Sequence, residues 1–183
     1  RQALLSSAVR LAKSVNYRSA GTVEYVFDAD SGDFFFLEVN TRLQVEHTVT
    51  EEVTGFDLVE WMIRIAAGED LQLESLNITK TGSAMQVRVY AEDPNKDFQP
   101  SCGVLTHVAF AEGVRCDGWV SSGTEVTPYY DPLLAKIIVH GVDRADALQK
   151  MSAALDATQL AGIETNIEYL RQIIRSEQFS EGR

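Results

Sequence analysis

Apolar positions in the first forty residues follow two different periods. Over residues 3–16, Leu, Ala and Val side chains recur at helical spacing, and this pattern predicts an amphipathic helix. Residues 22–28 and 34–40 are instead rich in Val, Tyr and Phe, with the turn-forming segment 28–33 between them. Two such runs separated by a short polar turn predict a β-hairpin.

The hydrophobic pattern changes after the hairpin. Residues 41–55 are polar and without clear periodicity, and we interpret them as irregular. Residues 58–67 predict a helix that begins at a capping box formed by Asp57 and Glu60. Because this helix is apolar on nearly every side, we expect it to be deeply buried.

The second half of the chain alternates short apolar runs with turn residues. We expect strands at 84–91, 104–110, 114–117 and 135–140. Two helices then close the chain, the first capped by Asp143 and the second by a capping box of Thr165 and Glu168. Together these elements predict an α+β fold class with a weak boundary near residues 70–82.

Composition limits the partners that this chain can take. It has 183 residues, with 16 Lys and Arg against 27 Asp and Glu, for a formal net charge of −11. Nucleic acids and anionic membranes attract basic surfaces, so neither is expected as the main partner. No apolar run reaches the ~18–20 residues of a membrane span. Two cysteines are too few for a disulfide framework, which favours a cytoplasmic setting, and the start at Arg1 suggests a segment of a longer chain.

The predicted hairpin brings two carboxylates together. Glu24 and Glu38 lie at equal distances from a turn centred on Ser31, so their Cβ atoms would be about 4.5–5.5 Å apart on one face. Their repulsion is relieved if one is protonated or if a cation lies between them. Mg²⁺ or Mn²⁺ suits such oxygen ligands, and Asn40 adds a neutral oxygen on the same face. An exposed polar face of the hairpin is the alternative.

Polar side chains continue at alternate positions after Glu38. Asn40, Arg42, Gln44 and Glu46 share one side of the chain if the segment is extended. Such a segment would be ~26 Å long, which is too long for one small ligand. The pattern therefore predicts either a segment that bends around a site or an elongated site for two substrates.

The same polar positions belong to a twelve-residue string, Phe36-Leu-Glu-Val-Asn-Thr-Arg-Leu-Gln-Val-Glu-His47. It resembles the signature of biotin carboxylases, which is long and specific. Three other segments are similar to motifs of that family: Gly21-Thr-Val-Glu-Tyr25, Val87–Pro94 and Pro128–Lys136. The resemblance covers essentially the whole chain.

The resemblance implies a fold, a reaction and partners. The fold is the C-terminal part of an ATP-grasp domain at 1–70, a connector at 71–82 and the biotin carboxylase C-terminal domain at 83–183, packed as one compact unit. In this family, bicarbonate and ATP with Mg²⁺ or Mn²⁺ form carboxyphosphate, which carboxylates biotin. The implied partners are the biotin carboxyl carrier domain, the missing N-terminal part of the enzyme and a second copy in a homodimer.

The resemblance also implies a metal site on the hairpin. Glu24 and Glu38 are similar to the family's carboxylates that hold metal ions on the nucleotide phosphates, with Asn40 beside them. This agrees with the pairing of the two carboxylates deduced from the hairpin alone, and the metal ions would screen the repulsion between bicarbonate and phosphate.

Further roles follow for the segment after the hairpin and for one later strand. Arg42, Gln44 and the backbone at Val45 resemble the bicarbonate site, and Glu46 resembles the general base. Arg88 resembles the arginine that stabilises the enolate form of the biotin ureido group. A planar guanidinium suits planar bicarbonate, and a carboxylate base must lie within hydrogen-bond reach of its proton.

The chain departs from the family pattern at a few positions. Thr48 stands where Pro is usual, Glu52 where Met is common, and Cys102 where Pro is usual. The family's Gly-rich lid and its ATP-binding lysines are expected upstream of residue 1. The sequence also has no Met-Lys-Met biotin attachment site. Because these parts are missing, we expect the isolated fragment to be inactive.

Within the family, four segments are most similar to the urea carboxylase branch. They are Val59–Ala67, Arg115–Thr124, Tyr129–Arg144 and Thr165–Leu170. Acyl-CoA and pyruvate carboxylases share the catalytic strand and remain alternatives, because the final acceptor binds on another domain. A folded, non-catalytic module that contacts other subunits or the carrier domain is a third alternative.

Overall fold

A computed structural model of the chain describes residues 1–182. The α-helices are α1 Gln2–Ser14, α2 His47–Thr54, α3 Leu58–Ala66, α4 Arg144–Ala157, α5 Ile167–Arg175 and α6 Glu177–Glu181. The strands are β1 Thr22–Phe27, β2 Phe34–Asn40, β3 Ser83–Tyr90, β4 Glu92–Asp93, β5 Gln99–Pro100, β6 Gly103–Val104, β7 His107–Ala109, β8 Arg115–Gly118, β9 Glu125–Val126, β10 Leu133–Gly141 and β11 Gln159–Ala161. The predicted α+β class is confirmed.

Backbone contacts divide the chain into two compact units. The first unit comprises Arg1–His47 and Gly55–Thr79. The second comprises Thr48–Thr54 and the chain from Lys80 onward. Helix α2, apart from its first residue His47, therefore belongs to the second unit, although the residues on both sides of it belong to the first. The division after Thr79 lies within the weak boundary expected near residues 70–82, whereas the assignment of residues 48–54 depends on contacts between distant residues, which composition does not reveal.

The first unit contains the predicted hairpin, and the predicted register is observed at the pair of Glu24 and Glu38. Strands β1 and β2 are antiparallel, with Glu24 opposite Glu38 and Thr22 opposite Asn40. The register shifts by one residue between Glu24 and Tyr25, which leaves the carboxylate pair intact and changes the pairing toward the turn. The turn closes through a hydrogen bond from the Asp28 amide to the Asp33 carbonyl.

Helix α3 differs from its expected burial. It begins after Asp57, whose carboxylate accepts a hydrogen bond from the Glu60 amide at 2.8 Å, as the capping pattern predicts. However, none of its described residues is buried, and Ile63 is 64% exposed. Two helices and a two-stranded hairpin are too small a unit to enclose a helix that is apolar on most sides.

The second unit is built on a three-stranded antiparallel sheet in the order β3–β10–β8. One face of this sheet packs its apolar side chains, among them Val89 and Ile137, against Met151 and Leu155 of α4. Helix α4 is capped by Asp143, which accepts a hydrogen bond from the Asp146 amide at 2.9 Å, as predicted. The core of the described residues therefore lies between this sheet face and the C-terminal helices.

The predicted capping box of α5 is wrong. The helix begins after Asn166, and no side-chain hydrogen bond caps it. The buried Asn166 side chain instead accepts a hydrogen bond from the Tyr90 amide and donates one to the Arg88 carbonyl, at 2.9 and 3.0 Å. It thereby satisfies the free backbone edge of β3, a tertiary contact that outweighs local capping.

Helix α2 replaces part of the segment predicted to be irregular. Five of its eight residues are Val or Thr, which are weak helix formers, so the pattern gives little helical signal. Three of its side chains, Thr48, Glu51 and Val53, are buried in the second unit. Tertiary packing therefore stabilises this helix rather than local propensity.

Short strands complete the second unit. The strand predicted at 104–110 is divided into β6, which pairs with β9, and β7, which pairs with β11. Gly162 has a positive φ of 111°, and a Cβ built on it would meet the Val104 carbonyl, so this close approach requires glycine. Over residues 1–182, none of the helices combines the length and the hydropathy needed to span a bilayer.

Candidate active site

The carboxylates of Glu24 and Glu38 are joined by one amide group. Asn40 Nδ2 donates hydrogen bonds to Glu24 Oε1 at 2.6 Å and to Glu38 Oε1 at 3.1 Å. The amide N–H groups therefore lie where the sequence analysis predicted a proton or a cation between the carboxylates. The backbone explains the arrangement, because Glu38 and Asn40 share one face of β2 and Glu24 lies directly opposite Glu38.

The polar segment bends after the hairpin. Strand β2 ends at Asn40, and residues 41–46 are neither helix nor strand. Gln44 Nε2 returns to Glu24 Oε1 at 3.2 Å, while Arg42 Nη1 donates to Gln44 Oε1 at 2.8 Å. Arg42 Nη2 also reaches Asn40 Oδ1 at 3.4 Å. Of the two predicted arrangements, the structure has the segment that bends and brings its polar groups together.

This network has the donor set of a divalent-cation site. Two carboxylates and one amide supply only hard oxygen ligands, the kind that Mg²⁺ and Mn²⁺ bind. Asn40 presents its amide nitrogen to the carboxylates in this structure, and a rotation of the amide would present its oxygen instead. Among the residues described, no group of three or more His, Cys, Asp and Glu side chains could hold a metal by itself.

The end of the segment lies beside α2. Val45 is half-buried, and Glu46 is exposed and immediately precedes the helix. The His47 ring, through Nδ1, is hydrogen-bonded to the Gln44 carbonyl at 2.7 Å. This bond closes the turn that leads from the segment into α2, which is a structural role for His47.

Arg88 lies on β3 of the second unit, on the sheet face opposite the apolar core. It pairs directly with Lys136 of β10, which in turn pairs with Asp117 of β8. Lys136 is buried, and its Nζ atom lies 3.4 Å from Asp117 Oδ2. Asn166 fixes the backbone of β3 at Arg88 from the free edge of the sheet. This row of charged residues was missed in the sequence, although polar residues at alternate positions of β3 signalled a polar face.

Arg115 lies two residues before Asp117 on β8 and forms ion pairs at the Asp117 end of this charged row. Arg115 donates to both carboxylate oxygens of Asp117, at 3.0 and 3.1 Å, and to Glu51 Oε2 at 2.8 Å. Burial by itself raises the pKa of Asp117, but the hydrogen bonds and charge of Arg115, with a smaller contribution from Lys136, hold that pKa below its usual value. The hydrogen bonds to Asp117 likewise raise the pKa of Arg115. These groups remain charged at neutral pH.

Two protein families match this chain. Residues 86–183 match the family described as biotin carboxylase C-terminal domain, and residues 1–74 match the ATP binding domain of the carbamoyl-phosphate synthase L chain. The chain belongs to the biotin carboxylase family.

Two individual relatives are similar to nearly the whole of this chain. The chain is 55% identical over 179 residues to urea amidolyase of Lachancea kluyveri, covering 98% of this chain and 10% of that protein. It matches the crystal structure of the Kluyveromyces lactis urea carboxylase with a TM-score of 0.90 and 52% identity, over 94% of this chain and 15% of the other. The chain thus spans about a tenth of the length of the relative it matches.

A third comparison concerns ligands. The biotin carboxylase domain of the Hydrogenobacter thermophilus 2-oxoglutarate carboxylase matches with a TM-score of 0.94 and 41% identity, over all of this chain and 41% of the other. That domain was solved as a dimer in complex with MgADP, ADP and bicarbonate. That relative thus binds a magnesium nucleotide and bicarbonate.

Proposed function

We propose that this chain is part of a biotin-dependent carboxylase that uses ATP and bicarbonate to carboxylate carrier-bound biotin through carboxyphosphate. The observation that carries the proposal is the connected network of Glu24, Glu38, Asn40, Arg42 and Gln44 on the hairpin and its continuation. These are the residues that the family motif assigns to metal and bicarbonate.

In this proposal, Glu24, Glu38 and Asn40 hold Mg²⁺ or Mn²⁺. A bound divalent ion neutralises phosphate charge, which allows an anion such as bicarbonate to approach. The pair of protein carboxylates would leave the remaining ligand positions to phosphate oxygens and water, as is usual for Mg²⁺. The fit rests on the oxygen-only donor set and on the opposed carboxylates of the hairpin.

Arg42, Gln44 and the Val45 backbone would bind bicarbonate. The Arg42 guanidinium is oriented by its bonds to Gln44 and Asn40, so its planar fork is preorganised before substrate arrives. Glu46 would then take the bicarbonate proton as a general base. Arg88 would stabilise the negative charge that develops on the biotin ureido oxygen, since a guanidinium directed at a forming oxyanion acts mainly in the transition state.

Urea carboxylase is the proposed branch. Identity is 55% and 52% to urea amidolyase and urea carboxylase relatives, against 41% to the 2-oxoglutarate carboxylase domain. Acyl-CoA and pyruvate carboxylases are the alternatives, and a urea-dependent assay of the full-length protein separates the branches. The proposed partners are a biotin carboxyl carrier domain, the N-terminal part of the ATP-grasp enzyme and a second copy of the protein. Both cysteines are free thiols, which agrees with a cytoplasmic location.

The test of this function is Glu46→Gln in the full-length protein. Loss of a general base typically slows a reaction by ~10²–10⁴-fold, so bicarbonate-dependent ATP cleavage should fall by that factor while ATP affinity is retained. Glu60→Gln, which changes an exposed carboxylate on α3, is the matched control and should leave the rate unchanged. Near-normal turnover of Glu46→Gln would show that another group is the base, and a wild-type protein without biotin carboxylation would favour a non-catalytic module.

A further inference from the structure

One side-chain hydrogen bond connects α2 to the sheet of the second unit. The Thr48 hydroxyl donates to the side-chain carbonyl oxygen of Gln86 on β3, and Thr48 is fully buried. Thr48 follows Glu46 by two residues, and Gln86 precedes Arg88 by two. The bond therefore lies within the second unit, on the strand that carries Arg88.

Gln86 and Arg88 lie on the same face of β3. The residues between and beside them, Met85, Val87 and Val89, are buried on the opposite face in the apolar core. Because side chains of a strand alternate between faces, Gln86 is one of the two residues of β3 that flank Arg88 on its own face. A hydrogen bond that holds α2 at Gln86 thus holds it beside Arg88.

A second contact fixes the middle of α2. Glu51, one helical turn after Thr48, pairs with Arg115 of β8 at 2.8 Å. Gln86 and Arg115 both pair with Ile138 of β10, so the two anchors belong to one row of residues across the sheet. Two anchors in one row define both where α2 lies on the sheet and how it is rotated.

A third residue of α2 also contacts the sheet. Glu52 lies 3.4 Å from Arg115, the arginine that pairs with Glu51. Three residues of one short helix therefore make polar contacts with the same sheet.

We propose that Thr48 and Gln86 are positioning residues, whose hydrogen bond holds α2 and β3 together beside Arg88. This inference rests on the proposed function. Arg88 acts on biotin, so the bond serves the transfer of the carboxyl group to biotin rather than the cleavage of ATP. Without the bond, ATP cleavage continues while fewer carboxyl groups reach biotin.

The experiment uses the full-length protein with free biotin as acceptor. Thr48→Val removes the hydroxyl and retains the shape of the side chain. It should lower the rate of biotin carboxylation by about tenfold, less than the ~10²-fold that a 1 Å misplacement can cost. Bicarbonate-dependent ATP cleavage without biotin should stay within a factor of about two, since it does not require Arg88. Thr48→Ser, which keeps the hydroxyl, should retain carboxylation.

The matched control is Thr158→Val. Thr158 is also buried, and its hydroxyl donates to the Ala154 carbonyl at 2.8 Å at the C-terminal end of α4, while its other hydrogen bonds among residues 1–182 are to Ala111 and Arg171. A loss that reflects only a missing buried hydroxyl would lower the melting temperature of both variants and would leave the ratio of carboxylation to ATP cleavage unchanged. The positioning role lowers that ratio in Thr48→Val alone.

Gln86→Leu completes a double-mutant cycle. If the bond between Thr48 and Gln86 has the positioning role, Gln86→Leu should lower the ratio of carboxylation to ATP cleavage as Thr48→Val does. The double variant should then be no worse than either single variant. Additive effects, or a ratio for Thr48→Val equal to that of Thr158→Val, would overturn the proposal. A wild-type protein that carboxylates no biotin would refute the proposed function instead, so the two failures are distinguishable.

Discussion

Replacement of Arg115 should lower the stability of the second unit. Its guanidinium is bonded to both oxygens of Asp117 and to Glu51, and Glu51 is only 7% exposed. Arg115→Met keeps the apolar stem and removes the charge, so the carboxylates lose their common partner. Breaking a buried pair costs about 3–5 kcal/mol, and the partial exposure of Arg115 and Asp117 places this case near 3 kcal/mol.

The predicted loss can be measured by thermal unfolding of the 183-residue chain, followed by circular dichroism. For a chain of this size, 1 kcal/mol corresponds to about 2–4 °C, so the melting temperature should fall by about 6–12 °C at pH 7. Arg64→Met is the control, because Arg64 makes exposed ion pairs with Glu60 and Glu69 that are worth less than about 1 kcal/mol.

The effect should also depend on pH. The folded-state pKa of Asp117 is lowered, so its contribution is fully present above the unfolded value of about 3.9 and is lost as pH falls through the folded value. The difference between wild type and Arg115→Met should therefore shrink as the pH falls below about 4. A melting temperature within about 2 °C of wild type at pH 7, or a difference that does not change down to pH 2, would refute this account.

Three further predictions concern the site and the cysteines. Glu38→Gln should weaken Mn²⁺ binding by the full-length protein, and equal titrations of variant and wild type would contradict the carboxylate pair as a ligand set. Arg42→Ala should raise the KM for bicarbonate and Arg88→Ala should mainly lower the biotin carboxylation rate, each by roughly 10–150-fold from a charge-assisted bond of ~1.5–3 kcal/mol; identical kinetic patterns would contradict the separate roles. Burial, and then the charge of Asp117, raise the pKa of Cys116 to about 11, so only about one thiol in a thousand is ionised at pH 8. Iodoacetamide should therefore modify the exposed Cys102 first, as peptide mass spectrometry would show.

Local sequence patterns were sufficient for the hairpin and for the polar residues on it. The position of the turn places Glu24 opposite Glu38, and strand alternation places Asn40 on the same face, since both follow from backbone geometry within a few residues. The bulge next to Glu24 was not predicted, but it lies on the turn side of the carboxylate pair and leaves that pair unchanged.

The tertiary structure decided what these residues connect to. Residues 41–46 bend because Gln44 and Arg42 find partners on the hairpin, whereas alternation alone allowed an extended segment. Helix α2 forms from weak helix formers because Thr48, Glu51 and Val53 become buried on a sheet that begins thirty residues later in the chain.

The charged row on the sheet shows the same limit. Lys136 and Asp117 lie in separate segments with no common motif, and only the register of β3, β10 and β8 brings them beside Arg88. The sequence by itself determined the family, the α+β class and the chemistry available, because these depend on residue type and local period. Which distant residues share a face depends on strand order and register, which are set by long-range packing that no single segment encodes.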